Sequence, residues 1–201
     1  MTLHNNIYSA SLTGEPFLFY EIRQVAKLII NGFDQEKIRY EVMNNNKFQY
    51  ATEKSIPKRF TAVNKRLMVL DEREIYFLAE KPSETAKIIN LYAIMKSNRL
   101  LSEFIFEVLA EKFENHNYFL EKLDLIGYFN SKKEQNEIVA AWKDYTFVKL
   151  RQVFLRILFE AGILESSKSG KLQKLSLDRE VIEYFQSKGN LNYLTAMGIN
   201  I

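Results

Sequence analysis

Between positions 54 and 70 the chain carries five cations, Lys54, Lys58, Arg59, Lys65 and Arg66, and no acid. Ile56, Phe60, Val63, Leu67 and Leu70 recur through the same stretch at helical spacing, which predicts a helix over 55–70 seated on a core by one stripe. Lys58 and Lys65 then project nearly opposite that stripe, with Arg59 and Arg66 on its flank. Unneutralised cations on the outer side of an anchored helix suit a phosphate backbone, whose charge they offset while counterions are released. An ordinary solvated lysine-rich face fits the same residues. The lack of an acidic partner one turn away inside the helix favours the phosphate reading.

A second group begins at Tyr145. Tyr145, Lys149, Gln152 and Arg156 share a polar stripe, while Val153, Phe154, Ile157 and Leu158 face elsewhere, which predicts an amphipathic helix over 145–161 capped by Asp144. With a helix over 134–142 and a short turn before it, this makes a helix–turn–helix pair, a common groove-reading device. Farther on, a polar turn from Ser166 to Lys171 lies between short apolar flanks, as in a small β-hairpin over 163–177. Lys168, Lys171 and Lys174 would stand on it as on the wing of a winged helix. A core helix followed by a loose basic loop is the competing reading.

Other chemistry is poorly provided for. There is no cysteine, so disulfides, thiolate metal sites and cysteine nucleophiles are excluded together, which fits a reducing compartment. His4 and His116 are far apart and lack ligand-spaced partners. No phosphate-binding glycine loop, dinucleotide fingerprint or nucleophile elbow occurs. Glu111 with Glu114, and Glu121 with Asp124, read as one side of a solvated helix face, and Trp142 as a packing residue. The expectation is a protein that binds without catalysis, metal or cofactor.

These groups must be positioned by helices. Caps, first-turn prolines (Pro16, Pro57, Pro82) and 3.6-residue periodicity predict helices at 15–31, 34–44, 55–70, 72–80, 83–96, 98–114, 118–129, 134–142, 145–161, 178–187 and 190–197. Leu100, Leu101, Phe104, Ile105, Val108 and Leu109 give the 98–114 helix a wide apolar face, marking it as central. The fold class is therefore all-α, with two helix–turn–helix-like elements and the small hairpin. The net charge of +3 divides unevenly, as +4 over 1–70, −4 over 71–137 and +3 over 138–201. The helices group into an N-terminal region 1–80 with the basic helix 55–70, a central region 81–133 holding most of the acidic stretch, and a C-terminal helix–turn–helix or winged-helix-like region 134–201, expected to pack as one unit. No stretch approaches the roughly 18 apolar residues of a membrane span, and Phe147 to Ile163 is broken by charges. A cytoplasmic protein is expected.

The order and spacing of several short motifs carry a resemblance. Tyr8 is followed by Glu21-x-x-x-Val25-Ala26, Gly32 and Asp34, then by Arg59 ahead of Arg66-Leu67-x-x-Leu70. Leu100-Leu101-x-x-Phe104, Trp142-x-x-x-Thr146-x-x-Lys149-Leu150 and Ala161-Gly162 come next. The pattern, covering residues 8–164, resembles the BrxA family of bacteriophage-exclusion (BREX) defence systems. That resemblance implies an all-helical protein that binds double-stranded DNA and works with the methyltransferase, ATPase and other proteins of its locus. It places Arg59, Arg66 and Lys149 among the DNA contacts, and a monomer is expected outside the complex. Two other readings stay open: a protein–protein adaptor using the acidic middle and exposed aromatics, and a helical RNA-binding module.

Overall fold

The computed structural model describes residues 7–166 and 168–201, so His4 and Ser167 lie outside it. The chain divides into two compact units, Phe17–Ser97 and the remainder, Met1–Pro16 with Asn98–Ile201. The chain crosses between the units at 16/17 and 97/98.

The Phe17–Ser97 unit contains α1 (Phe19–Ile30), α2 (Gln35–Met43), α3 (Ile56–Leu67), α4 (Glu72–Glu80) and α5 (Ser83–Ser97). Local chemistry starts several of them. Asp34 caps α2 by accepting from the Lys37 amide at 2.8 Å. Asp71 and Glu74 form a reciprocal capping box on α4, and such caps contribute about 0.5–2 kcal/mol each. Ser55 stands at the start of α3 without making a side-chain cap.

The helix buried on nearly every side here is α5, with Ile88, Ile89, Leu91, Tyr92, Ile94 and Met95 all inaccessible. Pro16 stands ahead of α1, not in its first turn. Phe17 is buried, and Leu18 enters the helix with a left-handed φ of 51°. That conformation costs an L-residue about 1–2 kcal/mol. It is held because the Phe17 carbonyl accepts from two buried donors, Arg66 Nη1 at 2.7 Å and Asn90 Nδ2 at 2.8 Å.

In the other unit, α6 (Arg99–Phe104) runs through a π-turn (Ile105–Leu109) into α7 (Ala110–Glu114). Leu100, Leu101, Phe104, Ile105 and Leu109 are buried along it, as the apolar face predicts, while Val108 is only half-buried. Then come α8 (Lys122–Gln135), a four-residue α9 (Glu137–Ala140) and α10 (Asp144–Glu160). Asn136 separates α8 from α9, because its side chain accepts from the amides of Ile138 and Val139. An aromatic cluster joins three of these helices. Phe104 lies 5.2 Å from Tyr128 and 5.3 Å from Phe154, and Phe129 lies 5.3 Å from Phe154.

The expected hairpin exists in reduced form. Leu164 pairs antiparallel with Leu172, and the Phe119 segment pairs antiparallel with Lys171 on the other side. The spatial order is thus 118–120, 170–172, 163–165. The far limb leaves the hairpin, since β1 (Leu175–Ser176) pairs parallel with β2 (Ile199–Asn200) after α11 (Arg179–Ser187) and α12 (Leu191–Ala196).

A charged network lies beside the π-turn. Glu103 accepts from Tyr8 Oη at 2.7 Å and Arg99 Nε at 2.6 Å, and lies 2.7 Å from Lys132 Nζ. Lys132 is buried and reaches Glu107 as well, at 2.6 Å. Burial works against the Glu103 carboxylate. Hydrogen bonds from Lys132, Tyr8 and Arg99 outweigh it and hold the group below its ordinary pKa.

Candidate nucleic-acid interface

Phe147, Leu150, Phe154, Ile157 and Leu158 fasten α10 to the core. This leaves Tyr145, Val148, Gln152, Arg156 and Phe159 exposed at helical spacing. Two expected contacts on α10 are already engaged. The Arg156 guanidinium is bound to Glu160 at 2.5 Å, and the half-buried Lys149 lies over the Tyr145 ring at 5.2 Å. Asp144 is the first residue of α10 and makes no side-chain cap; Lys143 occupies the capping position.

The turn after α10 is held close to the start of α8. Leu120 N donates to Gly170 O at 2.7 Å, and a Cβ at Gly170 (φ +68°) would stand 2.4 Å from the Leu120 carbonyl oxygen. Only glycine fits that approach. The result is a groove of about 480 Å³ between α10, the start of α8 and the turn. Its floor is Leu125, Val148 and Leu155. Lys122, Arg151 and Lys168 surround it with Gln152, and no acid lines it. None of these three cations has an ion-pair partner among the described residues.

Gln152 and Lys168 belong to the group expected from sequence, whereas Lys122 and Arg151 do not. Arg151 was legible in principle, since Val148, Arg151, Gln152 and Leu155 fall on one helical face. Lys122 reaches the groove only through tertiary packing. Lys171 and Lys174 stand apart from it, the first paired with Glu165 at 3.1 Å and the second over the Tyr118 ring at 5.5 Å.

In the Phe17–Ser97 unit the expected cations separate into two kinds. Lys54, Lys58 and Lys65 are exposed. Arg59 is half-buried, 5.4 Å from the ring of Tyr50, whose hydroxyl donates to Glu21. Burial and that hydrogen bond push the Tyr50 phenol well up. Arg66 is not a surface cation. It is 2% exposed, and its guanidinium serves the Phe17 carbonyl. Replacing Arg66 by Gln should therefore cost about 1–3 kcal/mol in thermal or denaturant unfolding. Duplex affinity of the folded variant should not change.

Among the described residues no cluster of metal-binding side chains occurs, and no helix is long and apolar enough to cross a membrane. What the fold and this surface define is an all-α protein bearing a basic helix-and-hairpin groove.

The BrxA family model matches residues 6–189, beyond the limit at 164 that the motifs suggest, and so includes the turn bearing Lys168. A BREX protein BrxA of Bacillus cereus (strain H3081.97) is 36% identical over 189 residues, 94% of either chain. That of Escherichia coli O9:H4 (strain HS) is 22% identical over 201 residues, 98% of this chain and 92% of its own. A crystal structure of an uncharacterized protein from Magnetospirillum magneticum shares the fold, with a TM-score of 0.79, 20% identity and coverage of 94% of this chain and 97% of that one. The chain belongs to the BrxA family and is a BREX phage-defence component.

Proposed function

We propose that this BREX component binds double-stranded DNA without catalysing a reaction, and that the α10 groove is where it does so. The observation that carries the reading is the set of three cations, Lys122, Arg151 and Lys168, without ion-pair partners among the described residues, around a groove whose described lining holds no acid. The order of elements supports it. Helices α8 to α10 followed by a hairpin, whose second limb also pairs with a segment ahead of α8, is the arrangement of a winged helix. In that arrangement α10 enters the major groove and the Lys168 turn meets the flanking backbone. Lys122, Arg151 and Lys168 contact phosphates, and Gln152 offers an unengaged amide to base edges.

The groove side chains are cationic, amide and aliphatic, so the work done there is binding, with no cofactor. Acting in a BREX system, the protein would bring the other defence proteins to the duplex. Fluorescence anisotropy of a labelled duplex, titrated across salt concentrations, tests the reading. Three phosphate contacts give a slope of roughly −2.7 for the logarithm of affinity against the logarithm of salt. Binding that ignores salt, or that prefers RNA of the same sequence, rules the reading out.

A further inference from the structure

The side chains of α10 that line the groove differ in how far they turn from the core. At about 100° per residue, Gln152 projects about 170° from the centre of the buried stripe of α10, Val148 about 130° and Arg151 about 70°. Gln152 is exposed and Val148 is 42% exposed, whereas Arg151 is half-buried. Both outward residues lie in the first half of the helix, the part that a recognition helix lays against base edges. Arg151, on the flank, is turned toward the backbone beside it.

Of the polar groups on the outward face, several are already engaged. Arg156 is bound to Glu160 at 2.5 Å, and Lys149 lies over the Tyr145 ring at 5.2 Å. The Gln152 carboxamide has no hydrogen-bond partner among the described residues. It is the one uncharged polar side chain in the lining between α10 and the start of α8, and Val148 stands one turn before it.

Resting on the duplex reading above, we propose that Gln152 and Val148 make this site selective for A·T pairs. Gln152 takes an adenine, and Val148 takes a thymine methyl within about two base pairs of it. A carboxamide carries an acceptor and a donor side by side. Adenine presents the matching pair, its N6 amino donor and N7 acceptor, in the major groove. Guanine presents two acceptors there, which would leave the Gln152 oxygen facing lone pairs. The isopropyl group of Val148 has no use for a donor or acceptor, and the thymine C5-methyl is the apolar group that the major groove offers. Along α10 the two residues are separated by about 6 Å, a little under two base-pair rises of about 3.4 Å. An apolar protein surface would cover Val148 but leave Gln152 and the three cations unmatched.

The full-length protein is tested by selection from a duplex library with about 12 randomised base pairs, a little over one helical turn. A motif with a fixed A·T pair is expected, and changing its adenine to guanine should weaken binding about tenfold at constant salt. Gln152→Arg should convert that one position from adenine to guanine, because a guanidinium pairs with guanine O6 and N7. Replacing the neighbouring thymine by uracil should cost the unaltered protein about fourfold, the worth of one buried methyl group, and Val148→Ala should abolish that penalty. Both substitutions are at exposed positions, and helical content is checked alongside. Salt-dependent duplex binding with no enriched A·T position, or the same motif selected by Gln152→Arg, overturns the proposal and leaves the duplex reading standing. Failure to bind any duplex removes both.

Discussion

Changing Arg151 and Lys168 together to Gln should lower duplex-DNA affinity about 10- to 100-fold near physiological salt and flatten the salt slope by about 1.8. Two phosphate contacts are lost, each of which releases close to one counterion on binding. Gln keeps a polar side chain of similar length at each site, and both positions border the groove without filling the core, so folding should be undisturbed. The informative comparison is Arg156→Gln. Arg156 is on the same helix and more exposed than Arg151, yet its charge is already met by Glu160 at 2.5 Å. It should change affinity by less than about twofold, in line with the small worth of an exposed ion pair. Lys27→Gln, an exposed cation on α1 that does not line the groove, is the control. Anisotropy titrations at several salt concentrations read both quantities. An unchanged slope in the double variant would remove the α10 groove as the DNA site.

The second large effect concerns stability. Lys132→Met should cost about 2–4 kcal/mol at neutral pH, because it leaves Glu103 with Arg99 and Tyr8 but without its buried ammonium. This lies about 1 kcal/mol below the cost of breaking a fully buried pair, about 3–5 kcal/mol, since Glu107 is half-exposed and Glu103 partly so. The loss should also depend on pH with a definite sign. The Glu103 pKa is depressed in the folded state, so its contribution is present above the unfolded carboxylate pKa and disappears as pH falls through the folded value. Without Lys132 that pKa rises, and the variant has less to lose on acidification. The stability gap should therefore narrow below about pH 4.5. Urea unfolding at a series of pH values measures it. A gap that stays constant would show Lys132 acting through packing alone.

Most helix positions follow from local chemistry along the chain. The 72–80 helix is placed residue for residue, and the α2, α5 and α10 ends fall within one residue of expectation. These features depend on neighbours a turn or two away, through capping by Asp34 and Asp71 and the 3.6-residue recurrence of apolar side chains. Family membership was legible for the same reason, because motif order is a property of the chain.

Which cations stay free depends on contacts between distant parts of the chain. On α3, Arg59 and Arg66 look equivalent from spacing, but one stacks on Tyr50 and the other is drawn inside by the Phe17 carbonyl. The helix expected at 118–129 begins at Lys122, because Tyr118 to Leu120 exchange backbone hydrogen bonds with the 170–172 limb, about fifty residues away. That displacement brings Lys122 beside Arg151 and Lys168. The burial of a charge and its distance from other charges are set by contacts between residues remote in the chain. Local periodicity can place each cation on a helix face, but it contains no information about which faces meet.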